Sequence, residues 1–225
     1  MSDTSTPQPL ATGLSGACSL AGELDPAPAI IAALADQGWC VTPEFLAPQL
    51  VGDLRQELEA RWRAGEFRHA GVGRGAQLQV RPEVRTDRVK WLDPHACSPA
   101  QHRYLATLER LRLALNSTLF LGLFDFEAHL AIYPPGTYYH RHIDQFIGIG
   151  TRRVTCTLYL NEDWQAADGG QLRIYTDPDD PQYGEDILPL GGTLVTFLSA
   201  RFLHEVLPAR RSRMSITGWF RTREI

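Results

Sequence analysis

The sequence predicts a mainly β fold with N-terminal helices: a β-sandwich or barrel, of which the double-sheet jelly roll is one form. Three observations carry this reading. Helical periodicity is confined to the first half of the chain. From Phe124 onward, short runs rich in β-branched and aromatic residues alternate with turn signals. The helices precede the strands instead of alternating with them, which argues against a doubly wound α/β sheet.

The elements follow in order. Residues 1–25 are rich in Ser, Thr, Pro, Gly and Ala, too poor in large apolar groups to order themselves, and are expected to be a flexible tail. A short helix runs from Ala27 and ends at Gly38, and Trp39 to Val41 reads as a short strand. A second helix is expected to start with Thr42 as cap and Pro43 in its first turn. Phe45, Leu46, Leu50, Leu54 and Leu58 form its apolar stripe, and it ends near Ala64. A glycine-rich turn over 70–75 and an extended stretch from Val84 to Trp91 come next. Ser98 to about Asn116 reads as a third helix, with Tyr104, Leu105, Leu108, Leu111 and Leu115 on one side. Residues 26–122 thus form a helical support region. Residues 123–225 form the strand-rich core, within one catalytic domain.

Eight strands are expected in that core: Phe126–Tyr133, Tyr138–His142, Arg153–Tyr159, Gly170–Tyr175, Asp186–Leu188, Thr193–Phe197, Phe202–Leu207 and Met214–Thr222. Turns are marked by Pro134-Pro135-Gly136, Asp168-Gly169-Gly170, Asp177 to Pro181 and Gly191-Gly192.

A chain of 225 residues can bury a substantial core. Its net charge of −4 offers no field for nucleic acid or an anionic membrane, so neither is expected as a partner. No apolar run reaches membrane-spanning length, and no basic residue precedes the mildly apolar stretch from Leu10 to Leu24. Cys18, Cys40, Cys97 and Cys156 show no metal-type spacing and read as thiols of a reducing, cytoplasmic location.

His142-Ile143-Asp144 closes one predicted strand. Extended chain points residues i and i+2 to the same face, so an imidazole and a carboxylate can converge on one point. A second histidine would complete two His and one carboxylate, the facial arrangement of non-haem iron(II) oxygenases, which leaves positions open for a cosubstrate and dioxygen. A His-x-Asp step alone is weak evidence, because a chain with seven histidines readily contains one as a solvated surface pair. His204, in a late strand that a jelly roll can bring beside an early one, is the partner. Arg213, at the last strand, can pair bidentately with the far carboxylate of a cosubstrate; alone it would read as part of the basic run with Arg210 and Arg211. His140 shares strand parity with His142 and stands as an alternative ligand. His69, His95, His102 and His129 have no partner pattern and read as structural.

Several further motifs stand in order along the chain. They are Ala70–Arg74 (AGVGR), Arg85-Thr86-Asp87 with Trp91-Leu92, Ala131–Pro134, Tyr139–Asp144 (YHRHID), Thr155–Trp164 (TCTLYLNEDW), Gly169–Ile174, His204–Val206 with Pro208-Ala209, and Arg213–Phe220 (RMSITGWF). Over residues 68–222 the chain resembles the hypoxia-factor prolyl hydroxylases and their bacterial relatives, within the prolyl 4-hydroxylase family of iron(II)/2-oxoglutarate dioxygenases. The resemblance implies a double-stranded β-helix, or jelly roll. It implies iron(II) held by His142, Asp144 and His204, with 2-oxoglutarate and dioxygen as cosubstrates and L-ascorbate as a further cofactor. Arg213 and Tyr159 would hold the distal carboxylate of 2-oxoglutarate. Tyr133 and Tyr139 would flank the pocket, and Trp219 would pack beside the second histidine. Arg152 and Asp87 would pair to hold a mobile segment, from about Gln77 to Val84, near the entrance. The implied reaction is hydroxylation of a prolyl residue at C4 in a protein substrate, with release of succinate and carbon dioxide.

The segment after Asp144 (QFIGIGTRR) departs from the family, where a protein substrate would approach, so the substrate itself is not implied. Other readings of the same residues are a 2-oxoglutarate oxygenase acting on another residue or a small molecule, a cupin-like enzyme with another metal, and a jelly-roll sensor that binds metal without turnover. The oligomeric state is left open.

Overall fold

Gly38 adopts a left-handed φ of 88° and turns the chain from helix α1 (Ala27–Asp36) into strand β1 (Trp39–Thr42), as its sequence position requires. A computed structural model describes residues 25–71, 79–145, 150–177 and 183–223, so the expected N-terminal tail and most of the glycine-rich turn lie outside the described residues. Helix α2 (Pro48–Arg63) starts later than the sequence suggests. Thr42 stays in β1, Glu44 takes a positive φ of 52°, and the Phe45 amide bonds to Gly192. Pro48, not Pro43, therefore occupies the first helical turn. Phe45 and Leu46 remain buried, but from a loop rather than a helix.

Strands β2 (Arg68–His69) and β3 (Arg88–Trp91) precede helix α3 (Pro99–Leu119). Ser98 caps α3 by accepting the Gln101 amide at 3.1 Å, and its hydroxyl donates to Glu57 on α2 at 2.5 Å. All eight expected later strands are present: β4 (Asp125–Tyr133), β5 (Tyr139–His142), β6 (Arg152–Tyr159), β7 (Leu172–Tyr175), β8 (Gly184–Ile187), β9 (Leu194–Leu198), β10 (His204–Val206) and β11 (Arg213–Arg221).

They form two antiparallel sheets. The larger has the order β1-β9-β6-β11-β4-β3-β2 and the smaller β5-β10-β7-β8. The first part of the chain therefore contributes three strands to the large sheet as well as the helices. Period-two alternation divides the core in two. On β4, Ala128, Leu130 and Ile132 face the helices, where Leu34, Leu54, Leu58, Leu108 and Leu115 cover the sheet. Ala131 and Tyr133 face the small sheet, with Tyr159, Leu172, Ile174, Phe197 and Phe202. The double-sheet jelly roll is thus the observed fold. No helix among the described residues is long and apolar enough to cross a membrane.

Gly218 sits at the centre of the large sheet between Ala128 on β4 and Cys156 on β6. A Cβ there would lie 2.5 Å from the Glu127 carbonyl oxygen and 2.7 Å from the Ala128 methyl. Gly218→Val is expected to destabilise the protein by about 1–3 kcal/mol. The readout is the urea midpoint; an unchanged midpoint would refute this packing account.

Candidate active site

The pairing of β5 with β10 sets His142 directly opposite His204. β5 ends at His142, and a bend after it returns the Asp144 carboxylate toward both rings. One nitrogen from each histidine and an Asp144 oxygen lie within 4.8 Å of one another, a set that could hold a metal ion. The His142 and His204 Nε2 atoms are 3.5 and 3.6 Å from the two carboxylate oxygens.

Each imidazole is oriented by its own chain. His142 Nδ1 donates to the His140 carbonyl at 2.7 Å, and His204 Nδ1 to the Phe202 carbonyl at 3.1 Å. A carbonyl only accepts, so Nδ1 carries the proton and Nε2 keeps its lone pair for a ligand. Tyr139 stacks on His142 with centroids 3.5 Å apart, and Phe197 meets His204 at 4.7 Å. Thr155 donates to Asp144 at 2.8 Å and is itself 2.9 Å from the Ser199 hydroxyl. His140 stays out of the group: its side chain is exposed and its ring lies tilted against Tyr138, centroids 4.5 Å apart.

Charge within the group is coupled. Burial raises the Asp144 pKa, but His204 and then His142 beside it hold the carboxyl well below the usual range. Burial lowers His204, and Asp144 more than reverses this. His142 is lowered by burial and by His204.

The group opens into a cavity of about 480 Å³ that Tyr133, Tyr139, Arg152, Arg213 and Trp219 also line. Register explains which residues reach it. Cross-strand rows on its face run Phe197–Thr155–Trp219–Glu127, then Val195–Thr157–Thr217–His129, then Tyr159–Ser215–Ala131, then Arg213–Tyr133. Arg213 is only 1% exposed, and among the described residues it makes no ion pair. Its Nε donates to the Gly170 carbonyl at 2.8 Å, and its guanidinium carbon lies 4.9 Å from the Tyr159 ring and 5.0 Å from Tyr133. Gly170 permits this approach, since a Cβ there would meet Ala209 at 2.9 Å and Arg213 at 3.2 Å. Among the described residues, the buried Tyr159 and Ser215 hydroxyls have no hydrogen-bond partner. Burial pushes the Tyr159 pKa up to about 12, against the pull of Arg213, so the phenol stays protonated.

A buried cation beside unpartnered hydroxyl donors costs stability unless an anion joins it, and a small carboxylate fits that demand. Two imidazoles and one carboxylate fit iron(II) in the same way.

Two expected contacts differ. Asp87 pairs with Arg85, at 2.8 and 2.6 Å, and not with Arg152. Arg152 bonds to Glu127 at 2.8 Å and lies 3.5 Å over the Trp219 ring. Arg85 lies two residues from Asp87 in the same segment, a short-range spacing that the resemblance did not use. Trp219 contacts His129 and Trp91, while Phe197 takes the place beside His204, because β11 lies two strands from β9. Thr155, Ser215, Phe197 and His129 are pocket or supporting residues that sequence reasoning missed. Strand parity with Tyr159, Arg213 and Tyr133 is the signal that marks three of them.

The sequence profile of the 2OG-Fe(II) oxygenase superfamily matches residues 128–221. The mouse prolyl hydroxylase EGLN3 is 32% identical over 85% of this chain and 81% of its own length. The chain belongs to the prolyl hydroxylase group of the 2OG-Fe(II) oxygenases. By family it is a 2-oxoglutarate-dependent dioxygenase, which implies iron(II) and 2-oxoglutarate for the His-Asp-His site. A Pseudomonas putida prolyl-4-hydroxylase superposes with a TM-score of 0.79 at 44% identity, over 88% of this chain and all of that one. A Trichoplax adhaerens prolyl hydroxylase, in complex with a hypoxia inducible factor oxygen degradation domain peptide fragment, gives 0.76 at 28% identity over 87% and 88%. The family also contains longer proteins: the chain spans 27% of the Caenorhabditis elegans hypoxia-inducible factor prolyl hydroxylase, to which it is 32% identical over 85% of its own length.

Asp144→Ala should abolish iron binding, read as iron content after reconstitution; unchanged content would remove Asp144 from the ligand set. Metal affinity should also fall as pH drops through the raised His204 pKa, because a proton then occupies the nitrogen that would bind metal. Titration with manganese(II) across pH measures this, and affinity that is flat or stronger at acid pH would contradict it.

Proposed function

We propose that this chain hydroxylates a prolyl residue at C4 in a protein substrate. His142, Asp144 and His204 would hold iron(II), and Arg213, Tyr159 and Ser215 would hold the distal carboxylate of 2-oxoglutarate. The observation that carries the cosubstrate assignment is Arg213, which is buried, makes no ion pair among the described residues, packs against the Tyr159 ring and lines the cavity that holds the His-Asp-His group. Support for a prolyl protein substrate comes from the two solved neighbours, a prolyl-4-hydroxylase and a prolyl hydroxylase with a bound peptide fragment.

Iron(II), when bound, supplies activation of dioxygen coupled to oxidative decarboxylation of 2-oxoglutarate. One oxygen atom enters succinate, formed with carbon dioxide, and the other replaces a prolyl C–H by C–OH. The residues supply orientation. Thr155 and Ser199 fix the Asp144 carboxylate, the two backbone carbonyls fix the imidazole tautomers, and Arg213 fixes the cosubstrate's far end. Tyr133 and Tyr139 wall the pocket, and Arg152 backs the Trp219 ring on which an apolar residue can rest. Arg85 and Asp87 form the ion pair at the entrance that the sequence assigned to Arg152. L-ascorbate belongs to this reading through the family resemblance, and a cytoplasmic location through the reading of the cysteines as free thiols.

Incubation with iron(II), 2-oxoglutarate and a library of proline-containing peptides should give succinate and peptides carrying one added oxygen atom on proline by mass spectrometry. Oxygen added only to other residues or to small molecules would overturn the prolyl reading. Arg213→Met should raise the KM for 2-oxoglutarate at least about 100-fold, the scale of a lost buried charge pair. An unchanged KM would place the cosubstrate elsewhere.

A further inference from the structure

His129 reads as structural in the sequence, yet it faces the cavity from β4. The residue is 4% exposed, and among the described residues its buried Nδ1 has no hydrogen-bond partner. Trp91 covers it edge-on at 5.0 Å and Trp219 lies tilted at 5.5 Å. The Trp219 Nε1–H is a second buried polar group with no partner among the described residues. Two such groups side by side in one cavity are costly if nothing ever pairs with them.

Their chemistry is complementary. Burial, then the nearby Arg85 and Arg152, bring the His129 pKa down to about 3, so the ring is neutral at ordinary pH. A neutral imidazole offers one lone pair and one N–H, whereas an indole offers only a donor. The two rings adjoin, with centroids 5.5 Å apart, so an acceptor and a donor stand side by side, as the N–H and C=O of one extended residue do. Such a residue presents its own N–H and C=O to the same side, as a residue in an antiparallel ladder does. The surrounding walls, Trp91 and Trp219 with Val89, suit the apolar body of that segment.

We propose that His129 and Trp219 form a main-chain reading pair: the indole N–H donates to the C=O, and the imidazole accepts the N–H, of a substrate residue flanking the target. The pair makes the site selective for extended peptide over free amino acids or other small molecules. This rests on the prolyl reading above and assigns its substrate class to residues of this chain.

The test uses the iron-loaded full chain and short peptides from the proline library that the wild type hydroxylates. His129→Leu is expected to raise the peptide KM at least tenfold, by more than it changes kcat, and His129→Asn should recover part of the loss. N-methylation is then scanned along the peptide. At one residue it should raise the wild-type KM about tenfold yet add little to the KM of His129→Leu. Equal penalties in both proteins, or an unchanged KM in His129→Leu, would overturn the pair. If the variants fail to fold, the scan on the wild type decides: no residue sensitive to N-methylation overturns the proposal. Hydroxylation of free proline with a KM as low as that of the peptides would overturn it as well. If the library yields no hydroxylated proline, the prolyl reading fails first and this inference falls with it, a result distinct from the others.

Discussion

The site depends on one cross-strand pair. β10 lies antiparallel between β5 and β7, and its register sets His204 opposite His142 and Ile174. A slip of one residue would turn His204 to the outer face of the small sheet and Glu205 toward the core, since side chains alternate. The pairing with β5 is short and irregular, with a register shift between His204 and Val206. What holds it is therefore the pairing with β7 and the apolar packing of Ile174, Val206 and Phe202 between the sheets. The metal site inherits its geometry from a hydrophobic core.

The large sheet solves a different problem. Arg213 begins its central strand and is almost fully buried, where an isolated cation is expensive. Aromatic rings line it on two sides, and its Nε donates to a glycine carbonyl. This arrangement keeps the guanidinium desolvated and leaves its remaining donors for a carboxylate. The same face carries Ser215, Thr217 and Trp219 in succession, and Arg213, Thr217 and Trp219 of this strand line the cavity.

Surface charge tells less. The ion pair Arg85–Asp87 has a fully buried carboxylate, whereas pairs such as Arg63–Glu59 are largely solvated and contribute little. Charge patterning alone does not distinguish them. The expected Asp87–Arg152 contact gave way to a nearer arginine for that reason.

By itself, the sequence determined the order and type of nearly every element, because period-two and helical patterns are local. It also pointed to His142, Asp144, His204 and Arg213, through residue chemistry and motif order. It misplaced the start of the second helix, where Thr42 and Pro43 mimic a helix start that pairing of β1 with β9 overrides. Only the tertiary structure decided which strands adjoin, and hence that Phe197 and not Trp219 stands beside His204. It alone showed that Thr155 supports Asp144 and that His129 faces the cavity. Those relations join strands far apart in sequence. Their register is set by packing between two sheets, which no local window of residues contains.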